Sequence, residues 1–136
     1  MTNEILKATE QAEKVVAAVF LVPTAGKAVQ TAGGPQNTVG MPDTTAALLQ
    51  KIMEHGADKT AVIAMGNPYL AADFPAVQTY LCTFSNATVS ETSAVKALFG
   101  EMPIHGHLPV TIPNIASRGA GLERPQQALN GGSNHA

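Results

Sequence analysis

Ala61 to Tyr69, Ala-Val-Ile-Ala-Met-Gly-Asn-Pro-Tyr, constrains the fold more than any other stretch of the chain. Val62, Ile63 and Met65 form an apolar run without a charge, the pattern of a strand buried on both faces of a parallel sheet. Gly66-Asn67-Pro68-Tyr69 then stops it. Glycine permits a tight turn, asparagine bonds neighbouring backbone, proline fixes φ and removes a donor, and tyrosine carries an apolar ring with a polar tip. In α/β sheets, ligands sit at the loops that follow the carboxyl ends of strands. The first candidate site is therefore the turn at 66–69.

The rest of the chain supplies partners for such a strand. A helix is expected over Thr2–Lys14, with Thr2 or Asn3 as cap, and it leads into Val15–Val22, an uncharged β-branched run read as a central buried strand. Asp43 is expected to cap a helix over Thr44–His55, with Ala47, Leu48, Ile52 and Met53 as its buried stripe and Gly56 as its stop. His55 is placed to interact with the negative end of that helix. Leu70–Pro75 reads as a turn. A strand over Thr79–Phe84 and a helix over Thr88–Phe99 follow, the helix capped by Thr88 or Ser90 and apolar along Ala94, Val95, Leu98 and Phe99. Leu108–Ile112, with Pro109 inside it, fits an edge strand, because proline cannot donate to a central ladder. Strands alternating with helices give an α/β fold: a three-layer α/β/α sandwich with a mostly parallel sheet, flavodoxin-like.

Composition narrows the function classes. A chain of 136 residues, 45% hydrophobic and with a net charge of −2, has room for one domain with a real core. Its eight Lys and Arg are scattered, so the electrostatic footprint of a nucleic-acid binder is missing. No apolar run is long enough for a membrane span, and the N-terminus lacks the pattern of a signal peptide, which leaves localisation unknown. Cys82 is the single cysteine; it cannot form an internal disulfide and reads as a small core residue. Four Phe, two Tyr and no Trp argue against an independent sugar-binding module.

Residues 23–42 form a long Pro- and Gly-containing loop in which Lys27 is the only charge. Such a loop supplies no carboxylate acid, base or metal ligand. His105 and His107, two apart on an extended segment, face the same side as a metal pair would, yet no third ligand lies near them in sequence. They are read as solvent-facing loop histidines, and neither a metal nor a cofactor is assigned. Glu91 is expected to be a first-turn helix acid and Glu101 a surface acid.

Gly66-Asn67-Pro68-Tyr69 after its apolar strand, the run Thr79–Asn86, the helix run Ala94–Glu101 with its Leu-Phe-Gly-Glu, and Pro103–Pro113 with its Gly-x-Leu-Pro-Val resemble, in that order, the C-terminal α/β domain of glycoside hydrolase family 3. The likeness is closest to its β-N-acetylglucosaminidase-like branch and strongest over residues 61–122. It implies one domain over 1–122 followed by a flexible tail over 123–136.

It also implies that the chemistry lies elsewhere. Members of the family carry their aspartate nucleophile on a (β/α)₈ barrel. The acid/base is a glutamate on a loop of the α/β domain in β-glucosidases, or a barrel histidine paired with aspartate in the N-acetylglucosaminidase branch. The acid-free 23–42 loop fits the second branch. A retaining mechanism needs two carboxyl groups about 5 Å apart or a histidine substitute, so no catalytic residue is assigned and the chain alone is expected to be inactive.

The resemblance implies a barrel catalytic domain as partner, on the same or a separate chain, and a carbohydrate at the interface, with Asn67, Tyr69 and Asn86 as candidates for the pocket or seam. The alternative is a stand-alone, non-catalytic binding or scaffold domain of the same fold. An exposed apolar patch where the barrel would sit favours the first reading.

Overall fold

The structure, a computed structural model, describes residues 2–21, 29–31, 34–36 and 41–128. In chain order the elements are α1 (Thr2–Gln11), β1 (Val15–Phe20), β2 (Val29–Thr31), β3 (Gly34–Gln36), α2 (Asp43–Gly56), β4 (Thr60–Met65), α3 (Leu70–Asp73), β5 (Thr79–Cys82) and α4 (Thr88–Leu98). A 3₁₀ turn, Ala57–Lys59, joins α2 to β4. None of these helices is long and apolar enough to cross a membrane.

Three strands, β1, β4 and β5, form an all-parallel sheet in the order β1-β4-β5. The 61–65 run is its centre. Alternation of side chains across the pleat sends Val62 and Ala64 to one face and Ile63 and Met65 to the other. On the first face they join Leu49, Ile52 and Met53 of α2, Leu70, Phe74 and partly buried Leu6 of α1. On the second they pack on Ala94 and Leu98 of α4. Helices thus cover both faces, as a strand apolar on both sides requires. The α/β/α sandwich follows directly.

Three expectations are corrected by packing. Val15–Val22 is not a central strand: β1 ends at Phe20, lies at the edge of the described sheet, and buries only one face. Val15, Ala17 and Val19 pack on the α2 side, whereas Val16 and Phe20 are 50% and 51% exposed, because α4 lies over β4 and β5 and leaves β1 bare. In α4, Ala94 and Leu98 face the sheet, while Val95 and Phe99 point to solvent. Leu108–Ile112 is no edge strand. Leu108 pairs with the strap that follows it, its N–H donating to Ala120 O (2.8 Å) and its carbonyl accepting from Gly119 N (2.7 Å). Ile112 instead bridges Ala116 across a tight turn in which Asn114 adopts φ 61°.

Helix ends also differ from the sequence reading. Pro42, not Asp43, is the N-cap of α2, with no side-chain cap, and its carbonyl accepts from Thr45 N and Ala46 N. Asp43 instead places a carboxylate in the first turn, where the helix dipole favours it. Leu49 joins Ile52 and Met53 in the buried stripe, and Ala47 is exposed. His55 does meet the helix end, its Nδ1 2.7 Å from Lys51 O. Ala87, rather than Thr88 or Ser90, caps α4. Leu70–Asp73 is a short helix rather than a turn.

The first helix stops at Gln11 rather than Lys14 because Lys59 seals its end. The Lys59 ammonium donates to Thr9 O (2.7 Å), Glu10 O (3.0 Å) and Ala12 O (2.9 Å). Carbonyls at a helix C-terminus have no intrahelical partner and carry partial negative charge, so a cation with three donors suits them. Lys59 gets there by lying over Gly56: a Cβ on that residue would stand 2.6 Å from Lys59 Cε.

Candidate site at the carboxyl ends of the strands

Three exposed rings stand at the carboxyl ends of the three parallel strands. Phe20 closes β1, Tyr69 follows β4 and Phe84 follows β5, each between 41% and 51% exposed. Asn67 stands two residues before Tyr69 in the β4 loop, and Asn86 two residues after Phe84 in the β5 loop.

The β4 loop is rigidly built. Gly66 adopts φ 97°, and an added Cβ would come within 3.2 Å of Leu21 O, so glycine alone fits where the end of β1 passes the turn. Asn67 Oδ1 accepts from Tyr69 N (2.9 Å), the Asx turn its position predicted. The buried Pro68 offers its carbonyl to Tyr80 Oη at 2.8 Å, which ties the loop to β5. These bonds leave the Tyr69 ring outward.

The β5 loop is pinned in the same way. Thr83 N extends the ladder to Ala64 O (3.1 Å), and its Oγ1 donates to Ser85 O (2.6 Å). Phe84, caught between, takes φ 56°, a left-handed conformation that costs a β-carbon-bearing residue energy. Ser85 Oγ then accepts from Ala87 N (3.1 Å) and starts α4.

Beneath the loops, Tyr80 and Cys82 share the α2 face of β5. Burial pushes the Cys82 thiol up from 9.0 to about 11, against a hydrogen bond from Tyr80 that pulls it down. Burial first, and then repulsion from a Cys82 thiolate, raises the Tyr80 phenol well above its ordinary range. Both groups are held neutral. Cys82 is therefore a packing residue, as its sequence setting predicted, since a nucleophilic thiol needs the opposite shift.

Asn67, Tyr69 and Asn86 thus lie on adjacent loops at one end of the sheet. Sequence reading missed Phe20 and Phe84, which look like ordinary strand residues; their only signal is their place at strand ends. The loops 66–69 and 83–86 contain no carboxylic acid. They offer rings, amides and hydroxyls, which orient and support a ligand or partner rather than transfer protons at neutral pH. Most of the acid-free 23–42 loop lies outside the described residues; within it, β2 and β3 form an antiparallel hairpin, Val29 opposite Gln36.

Elsewhere, a cavity of about 240 Å³ lies between the end of α4 and the strap after it, lined by Leu98, Met102, Arg124 and Gln127 among others. It is separate from the strand-end loops, since none of their residues lines it.

Among known proteins, no curated protein and no solved structure matches the chain. The family model described as Glycosyl hydrolase family 3 C-terminal domain matches residues 1–133. A match over nearly the whole length, on a three-stranded parallel sheet flanked by helices, settles the family: the chain belongs to the glycosyl hydrolase family 3 C-terminal domains.

Proposed function

We propose that this chain is the accessory α/β module of a β-N-acetylglucosaminidase-like hydrolase of O-glycosyl bonds, and that it acts only beside a catalytic barrel on the same or a separate chain. The barrel supplies the nucleophile and the acid/base. The module buttresses the active site and offers Asn67, Tyr69 and Asn86 at a seam that holds the carbohydrate.

The observation that carries this reading is the bare apolar stripe of β1. Val16 and Phe20 are about half exposed on a strand that has no charged residue between Val15 and Phe20. Large exposed apolar side chains gathered on one side of a sheet mark a surface for a partner. Phe20 also sets one end of that stripe at the same carboxyl end of the sheet as Tyr69 and Phe84, where a partner covering it would meet the strand-end loops.

The test uses the purified chain with 4-nitrophenyl N-acetyl-β-glucosaminide and 4-nitrophenyl β-glucoside. No release of nitrophenol is expected from the chain alone, and release is expected to appear or rise when a family 3 barrel domain is added. Phe20→Asp, at an exposed position, is expected to keep the circular dichroism of the fold and lose the effect on the barrel. Turnover by the chain alone would overturn the proposal. A barrel indifferent to the chain would favour a stand-alone scaffold instead.

A further inference from the structure

Phe84 stands at the end of β5 in a backbone conformation that glycine would hold at less cost. Its φ of 56° lies in the left-handed region, which a bulky residue enters only when its surroundings force it there. Those constraints lie on either side of it. Thr83 N is held by Ala64 O at 3.1 Å, Thr83 Oγ1 reaches past Phe84 to Ser85 O at 2.6 Å, and Ser85 Oγ accepts from Ala87 N at 3.1 Å as α4 begins.

The left-handed turn decides where the ring goes. Along an extended strand, residue 84 would follow Tyr80 and Cys82 to the α2 side of the sheet. Tyr80 and Cys82 pack on the core there, whereas Phe84 belongs to neither buried cluster and is 41% exposed. A turn alone is served by glycine or asparagine, which take this conformation readily. What the position keeps beyond the turn is the ring.

The groups around that ring select a neutral, hydroxyl-rich ligand. Asn86 is exposed, and its side-chain amide has no hydrogen-bond partner among the described residues. The loops 66–69 and 83–86 carry no charged side chain, and exposed Tyr69 adds a second ring with a polar tip on the loop of the neighbouring strand. A charged ligand would find no counter-charge in them. A pyranose presents a face of C–H bonds and an edge of hydroxyls. The face packs on an aromatic ring, and the hydroxyls bond an amide that both donates and accepts.

We propose, resting on the reading of this chain as a glycoside hydrolase module, that Phe84 and Asn86 form a recognition site for a neutral sugar ring, with Phe84 as its platform. Asn86 orients the sugar through its hydroxyls. The sequence concealed the platform because Phe84 looks like the last residue of a strand, and only its backbone conformation takes it out of the core.

Diacetylchitobiose titrated into the full chain, followed by NMR of the rings and side-chain amides, is expected to give saturable shifts at Phe84 and Asn86. Phe84→Tyr keeps the binding, while Phe84→Ala and Phe84→Gly each weaken it by about fivefold or more. Thermal melting separates the turn from the ring: Phe84→Gly is expected to melt about 2 °C or more above Phe84→Ala, since the left-handed conformation costs glycine nothing. Circular dichroism checks that each variant keeps the fold. Absence of saturable shifts, binding that survives Phe84→Ala, or an alanine variant that melts at or above the glycine one would overturn the site. So would a ring whose loss weakens only the hold of the chain on an added family 3 barrel, which makes Phe84 a protein contact. Sugar binding lost with the ring, beside a barrel indifferent to the native chain, would uphold the site and sink the accessory-module reading instead.

Discussion

Replacing Lys59 by methionine lowers the stability of the fold by about 2–3 kcal/mol. Methionine keeps most of the length of the side chain and removes the ammonium, so the loss isolates the three bonds to Thr9, Glu10 and Ala12 carbonyls. A hydrogen bond to a charged group contributes about 1.5–3 kcal/mol, and the sum falls short of three such terms because Lys59 is only partly buried and its bonds share one donor group. The effect concentrates on α1, which has no fully buried residue and meets the core through partly buried Leu6. Chemical unfolding gives the total, and hydrogen exchange places it in residues 2–11.

Gly56 makes the same point through a double-mutant cycle. Its φ of −172° is extended and open to any residue, so Gly56→Ala is not opposed by the backbone. What opposes it is Lys59, whose Cε, Cγ and Cδ lie 2.6, 3.1 and 3.3 Å from the new Cβ. The substitution is expected to destabilise the native chain by about 1 kcal/mol as the lysine is pushed off α1. In a Lys59→Ala background it becomes neutral or stabilising, because alanine has less unfolded-chain freedom to lose than glycine, an effect of about 0.4–1 kcal/mol. Additive effects in the two backgrounds would mean that Gly56 serves no purpose in seating Lys59.

Ile112→Ala is the second large loss, about 3 kcal/mol, with Ile112→Val near 1 kcal/mol. Ile112 is 2% exposed yet belongs to none of the strands or helices. Its backbone closes the turn to Ala116 by two hydrogen bonds, and its side chain is among the largest fully buried ones of the described residues. Leu122→Ala, at a residue 80% exposed, serves as the control and is expected to change stability by less than about 0.5 kcal/mol. If Ile112→Ala left urea unfolding of the sheet unchanged and altered exchange only in residues 100–127, this segment would be a separately unfolding unit.

These two residues show where local reading stops. The helix–strand alternation, the burial of Val62, Ile63 and Met65 on both faces, and the glycine turn at 66 were all legible, because periodicity and turn chemistry are written within a few adjacent residues. Asn67 as a turn former and Cys82 as a core residue were legible on the same grounds. Lys59 reads only as a residue leading into a strand, since its three acceptors lie 47 to 50 residues earlier. Ile112 reads as an edge strand because β-branched residues beside a proline look alike in an edge and in a strap.

By itself, then, the sequence determined the fold class, the strand buried on both faces at Val62–Met65, the turn that presents Asn67 and Tyr69, and the family. The tertiary structure alone decided that β1 is an edge of the described sheet with Val16 and Phe20 exposed, that Val95 and Phe99 turn to solvent, and that Glu123 meets His105 and His107. The physical reason is the same in each case. An apolar run shows that a face can be buried, but strand order and the width of the covering helix decide whether it is. A histidine pair shows that two side chains share one face, but only the return of the chain decides what stands opposite them.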